Sequence, residues 1–245
     1  MFRSVSRILA LAAVPAILAA PTLASDTVPT EKADMLLAGM MTYQADAPLI
    51  ELCKEGQRAP IAPEGEYPAL ERAYLTDQSA PGAPLYVMVD GEIAPRPGAD
   101  GGSDRDTLVV DRFIRTRPGI TCERQMADAE LVNTYWRLDS LEGEPFPKGV
   151  GKKEAHILLE TGDDGAYRAT VGCNSVRGSY TLDGDMLAFG GGAMTMMACP
   201  DPLDRLERQL TAMLGEVTGF DTEGETLVLR DAGGNPRAIF TAIYF

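Results

Sequence analysis

Along most of this chain apolar and polar residues alternate in short runs, the pattern of half-buried strands. Strands are predicted around residues 41–43 and 49–52. Residues 85–89 and 92–94 flank Asp90-Gly91, a dipeptide that predicts a hairpin turn. Residues 107–116 interleave Leu108, Val110 and Ile114 with polar neighbours and predict another strand. Between these runs the period changes. Residues 66–78 read as a helix, with Leu70, Ala73 and Tyr74 on one face and Pro68 near its first turn. Further along, 136–138, 157–159, 167–171 and 186–189 predict strands. Gly172-Cys173-Asn174, Asp183-Gly184, Glu223-Gly224 and Gly233-Gly234-Asn235 mark the turns. Residues 201–217 give the clearest helix: Asp201 is placed to cap it and Pro202 to occupy the first helical position. Leu203, Leu206, Leu210, Met213, Leu214 and Val217 form its apolar stripe. A last strand is predicted over 238–245.

The polar stretch 123–129 separates two such patterned regions. The expected organisation is a domain over 38–122, a link over 123–130 and a domain over 131–245. The expected fold is β-rich, between all-β and α+β. A small OB-like barrel comes first, followed by a curved antiparallel sheet covered by one long helix.

The N-terminus carries an address rather than a fold. Arg3 and Arg7 precede an apolar run over 8–20, and Thr22 and Ala24 offer small side chains at the −3 and −1 positions. This is the pattern of a signal peptide over 1–24, cleaved after Ala24. The first cysteine is Cys53, so no residue near that site could carry a lipid, and no later run reaches the ~18 apolar residues of a membrane span. The reading is therefore a periplasmic, exported and soluble protein. Its formal charge is −14 at pH 7, and loss of Arg3 and Arg7 makes it more negative still. That sign repels phosphate backbones and anionic membrane surfaces, which argues against nucleic acid and membrane partners.

Four cysteines in an exported chain predict two disulfides, and four cysteines allow three pairings. Each half holds two, so the domain division favours Cys53–Cys122 and Cys173–Cys199.

Two resemblances rest on particular residues. In the first half they are the run Leu52-Cys53-Lys54-Glu55-Gly56-Gln57-Arg58, then Glu64-Gly65-Glu66-Tyr67 and Leu70-Glu71-Arg72-Ala73-Tyr74. Phe113-Ile114-Arg115, Pro118-Gly119 and Cys122 complete the set. Together they resemble the C-terminal OB-fold domain of the envelope lipoprotein NlpE. In the second half, Trp136 with Leu138, the turn Gly172-Cys173-Asn174, and Gly178 with Tyr180 come in order. Thr195-x-Met197-Ala198-Cys199 and Leu227-x-Leu229 follow. These are similar to the META/HslJ-like (DUF306) domain. The resemblance implies an envelope or surface protein linked to stress tolerance, with no defined biochemical activity.

Catalytic and metal-binding chemistry finds little purchase. His156 is the only histidine, so a zinc pair is ruled out and a Ser-His-Asp triad would depend on it alone. No Cys-x-x-Cys occurs. Gly190-Gly191-Gly192 lacks the lysine of a phosphate loop. Asp100, Asp104 and Asp106 do not follow calcium-loop spacing. Met194, Met196 and Met197, with Met186 nearby, could offer thioethers to Cu(I), although alternating methionines more often fill a core. The expectation is a non-enzymatic protein with no catalytic residues and no cofactor. It would bind an envelope protein or small ligand, the alternatives being an enzyme of unrecognised type or a copper-binding protein. Trp136, Gly172, Asn174, Gly178, Tyr180, Thr195 and Met197 are expected to be structural.

Overall fold

The computed structural model describes residues 35–44, 47–98, 102–124, 128–162 and 165–244. The expected signal peptide and cleavage site lie outside them, as do Asp100 and part of the 123–130 stretch.

Six elements make the first half: β1 (Met35–Gln44), β2 (Ala47–Leu52), β3 (Arg58–Pro60), α1 (Tyr67–Asp77), β4 (Leu85–Arg96) and β5 (Arg105–Arg117). The strands form one antiparallel sheet in the order β3-β2-β1-β4-β5. The sheet is open, where the pattern led to a small barrel. Its outer strands approach through one parallel bridge between Ile61 and Leu108. β3 has only three residues, and just beyond it the Ala62 N–H donates to the Leu108 carbonyl at 2.8 Å, a contact too short to make a ladder between the outer strands. α1 is the helix expected at 66–78. Pro68 lies in its first turn, and Tyr67, Leu70 and Tyr74 are buried against Met41, Ile50, Val87 and Leu108.

Asp90-Gly91 is not a turn. β4 runs through it unbroken, and the register with β5 shifts on both sides, between Met88 and Val89 and between Asp90 and Gly91. A Cβ at Gly91 would lie 2.2 Å from the Val109 carbonyl oxygen, so the glycine serves close strand approach rather than reversal of the chain.

After a 3₁₀ turn at Cys122–Arg124, the second half contains β6 (Tyr135–Leu141), β7 (Glu144–Pro145), β8 (His156–Glu160), β9 (Ala166–Thr170), β10 (Val176–Asp183), β11 (Met186–Phe189) and β12 (Ala193–Met194). Then come α2 (Leu203–Leu214), β13 (Val217–Glu223), β14 (Thr226–Asp231) and β15 (Pro236–Ile243). The order β11-β13-β14-β15-β6-β8-β9-β10 returns on itself because β10 also pairs with β11. The expected curved sheet is thus a closed eight-stranded antiparallel barrel. Closure rests on a short contact: Met186 pairs with Gly219, and the Phe220 N–H donates to the Asp185 carbonyl at 3.2 Å. Closing the sheet removes the free edges that two unpaired strands would expose.

α2 is shorter than its sequence pattern, starting at Leu203 after Pro202, with no side-chain cap from Asp201. Its stripe Leu203, Leu206, Leu210, Met213 and Leu214 is buried with Trp136, Leu159 and Phe240 in the barrel core. Each such side chain taken from water contributes about 1.5–3 kcal/mol.

The two sheets pack into one compact unit. Ala38, Tyr86, Met88 and Ile114 of the first half meet Val228 of β14 and Ile239 of β15. Charged pairs cross the same boundary. Asp90, fully buried, receives both Arg230 guanidinium nitrogens at 2.7 and 2.8 Å, and Arg112 at 3.3 Å. Arg115 meets Asp139 at 2.8 Å, and Lys54 meets Glu223 at 2.7 Å. Burial alone would raise the Asp139 carboxyl, but Arg115 and the Thr241 hydroxyl hold it below the usual range. Part of the 123–130 stretch is itself packed: Ala129 is buried, its N–H donates to the Gly224 carbonyl at 2.7 Å, and Asp128 accepts from the Gly224 N–H at 2.8 Å.

Candidate functional site

The β9–β10 connection gathers most of the residues singled out in the second half. Cys173 is bonded to Cys199, with Cα atoms 6.1 Å apart, and in the first half Cys53 is bonded to Cys122 at 4.9 Å. Beside the second bridge, Asn174 is buried and saturated. Its Oδ1 accepts from the Thr195 hydroxyl at 2.9 Å and from the Met197 N–H at 2.8 Å. Its Nδ2 donates to the Met197 carbonyl at 3.0 Å and to a carboxylate oxygen of Glu207 at 2.9 Å, with the Cys199 sulfur at 3.0 Å. The Asn174 N–H donates to the other Glu207 oxygen, and its carbonyl accepts from the Thr170 hydroxyl at 2.6 Å. The Thr170 hydroxyl oxygen in turn accepts from the Gly172 N–H at 2.9 Å. One residue, through its side chain and its backbone, therefore ties the end of β9 to the 195–199 segment and α2.

Glu207 was not legible as a partner of this turn, yet a signal was present. It lies four residues after Leu203 and three before Leu210, an acid on the apolar stripe of an amphipathic helix. A carboxylate buried there requires donors, and Asn174 supplies them.

Gly172 has φ 111°, and a Cβ on it would sit 2.8 Å from the Lys153 carbonyl oxygen and 2.9 Å from the Gly151 Cα. The 151–153 loop rests on that bare surface. Gly172→Ala should lower stability by roughly 1–3 kcal/mol through backbone strain and displacement of the loop. A thermal melt unchanged from the parent would contradict this close approach.

The remaining motif residues are spread along the barrel wall. Trp136 is fully buried, its indole N–H donating to the Leu131 carbonyl at 2.9 Å. A Cβ at Gly178 would lie 2.6 Å from the Tyr167 ring. The Tyr180 hydroxyl donates to the Glu160 carbonyl at 3.2 Å. Met197 takes part through its backbone alone.

The methionines differ from the core-filling expectation. Met186, Met194, Met196 and Met197 are all exposed, Met196 at 93 %. The bonds of the Thr195 hydroxyl and the Met197 backbone to Asn174 turn this segment inward there and leave the Met196 and Met197 thioethers outside. Cys173, Cys199 and Glu207 form the one group among the described residues with donor spacing suited to a metal. Joined in a disulfide, those sulfurs are not the thiolates that soft metals take. His156 is half-buried, with its ring stacked on Tyr135 at 4.4 Å and Nδ1 at 2.9 Å from the Glu154 carbonyl oxygen. Neither an acid–base partner nor a nucleophile adjoins it in these contacts.

The second half is thus a closed barrel with α2 in its core and an Asn174-centred turn beside the Cys173–Cys199 bridge. Residues 129–243 match the META domain. Residues 31–123, ahead of that META domain, match the NlpE C-terminal OB domain. No curated protein matches the chain significantly. Among solved structures, the chain is similar to the Cpx pathway activator NlpE from Escherichia coli. Identity is 29% over 36% of this chain and 44% of that one, with a TM-score of 0.32. It thus spans under half of the NlpE chain. A protein from Burkholderia xenovorans solved by NMR is 23% identical over 47% of this chain and 85% of that one, with a TM-score of 0.39. A second protein solved by NMR is 26% identical over 45% of this chain and 90% of that one, with a TM-score of 0.37. No helix among the described residues is long and apolar enough to cross a membrane.

Proposed function

We propose that this is a non-enzymatic, exported envelope protein acting by binding or as an adaptor in envelope homeostasis or stress tolerance. The observation that carries this reading is the union, in one chain, of a match to the NlpE C-terminal OB domain and a match to the META domain. NlpE of Escherichia coli is a Cpx pathway activator, so a domain of that kind fits a protein that reports on or supports the envelope. Two disulfides suit an oxidising compartment. The domains over 38–122 and 131–245, joined through 123–130, serve here as a preassembled surface rather than as a catalyst. Cys173, Asn174, Thr195 and their neighbours hold the META domain together, because their polar atoms are spent on one another.

The test is a deletion strain challenged with envelope-damaging stress and complemented with the full chain. Survival should fall on deletion and recover on complementation, and the exported product should begin at Ser25 by mass analysis. Unchanged survival under all envelope stresses, or a product retained in the cytoplasm, would refute the reading.

A further inference from the structure

The outer face of β6, β8, β9 and β10 carries a groove of about 350 Å³ lined by Tyr135, Lys153, His156, Arg168, Ser175 and Arg177, among others, with no acidic residue in its lining. In a chain of formal charge −14 this concentration of cations is against the trend. Its layout is also unfavourable without a counter-charge. Arg168 and Arg177 are direct cross-strand partners on neighbouring strands, where like charges destabilise a sheet. Glu160 pairs with Arg168 from the rim and Glu154 neighbours Tyr135, which leaves the three cations Lys153, Arg168 and Arg177 against two carboxylates outside the lining.

We propose that this groove is a binding site for a small phosphate-bearing anion. Arg168 and Arg177 supply planar, multidentate donors suited to phosphate oxygens, and Lys153 adds a point charge to the same lining. His156 and Tyr135, stacked on each other, form a flat wall. Burial and the neighbouring Glu154 push the Tyr135 hydroxyl up to about 12, so it stays protonated and neutral beside the ligand. The Asn174 turn gains a purpose in this setting. It fixes the ends of β9 and β10 that present Arg168, Thr170, Ser175 and Arg177. Gly172 admits the 151–153 loop that brings Lys153 to the rim. The buried knot is then the support on which the exposed site is held.

Inorganic pyrophosphate is the first probe, titrated into the mature full chain and followed by amide chemical shifts. Vesicles containing phosphatidylglycerol are the second, followed by co-sedimentation. Pyrophosphate should shift the resonances of Lys153, His156, Arg168 and Arg177, and affinity should fall at least tenfold in the Arg168→Gln/Arg177→Gln double variant. Folding of that variant is checked by its melting curve, and Lys153→Gln provides an independent variant on a different segment. Co-sedimentation that depends on Arg177 would place the phosphate in a lipid headgroup, whereas pyrophosphate binding alone would place it in a soluble ligand. Either result supports an anion site. Absence of binding to both probes, or equal affinity in parent and variants, overturns it.

Discussion

Arg230→Met is expected to destabilise the protein by about 3–5 kcal/mol, because it strands the buried Asp90 carboxylate between the two halves. Asp90 has no exposure to solvent, and two of its hydrogen bonds come from Arg230. Arg112, the remaining cation, stands at 3.3 Å and shares itself with the Gly234 carbonyl and the Asn235 side chain, so it replaces little of what is lost. Breaking one side of a buried pair costs far more than replacing both sides with apolar groups. Asp90→Leu combined with Arg230→Met should therefore recover much of the loss. Denaturant unfolding of the parent, both single variants and the double measures the coupling. The pair also joins β4 of the first half to β14 of the second, so Arg230→Met should broaden the single transition or split it in two. A loss below 1 kcal/mol with a sharp transition would mean that the apolar contact of Tyr86 and Met88 with Val228, with the Arg115–Asp139 and Lys54–Glu223 pairs, holds the halves together without it.

That same pair shows where sequence reading reached its limit. Strand and helix positions were legible because burial of one face leaves a period in the chain, and both α1 and α2 lie inside their expected spans. Asp90-Gly91 was misread because the dipeptide that favours a turn also suits a bulged strand. There the glycine admits a close carbonyl and the aspartate faces a distant arginine. Nothing within ten residues of Asp90 announces Arg230. Barrel closure was hidden for the same reason: it depends on pairing Met186 with Gly219, more than thirty positions apart, and no local pattern encodes that register. The exposed methionines were misjudged because apolar content alone does not tell which way a segment faces. At 195–197 the facing is set by polar bonds to Asn174. In the candidate site, the Gly-Cys-Asn turn stood out by its residue types, whereas Glu207 and the cationic groove became visible only when strands and helix were placed side by side.

Trp136→Ala should lower stability by about 3–5 kcal/mol, a large part of the ~5–15 kcal/mol available to a domain. Trp136 is fully enclosed on β6 and packs in the core that includes the α2 leucines. Its loss opens a cavity and also leaves the Leu131 carbonyl without its indole donor. Leu131 belongs to the segment just before β6, so the point of entry into the barrel should loosen with it. The melting temperature and the amount of accumulated protein should fall together. Any loss of stress tolerance should then follow the folded fraction. Cys173→Ser offers the comparison: it removes the bridge to Cys199 while leaving the core filled, and on the chain-entropy view it should also cost several kcal/mol. The deciding measurement is stress survival for each variant with folded protein levels matched to the parent. Survival restored by matching marks Trp136 and the disulfide as scaffold. A Cys173→Ser variant with a parental melting curve and parental abundance that still fails to protect would instead locate the working surface at the adjoining Asn174 turn, and the non-enzymatic reading would fall with it.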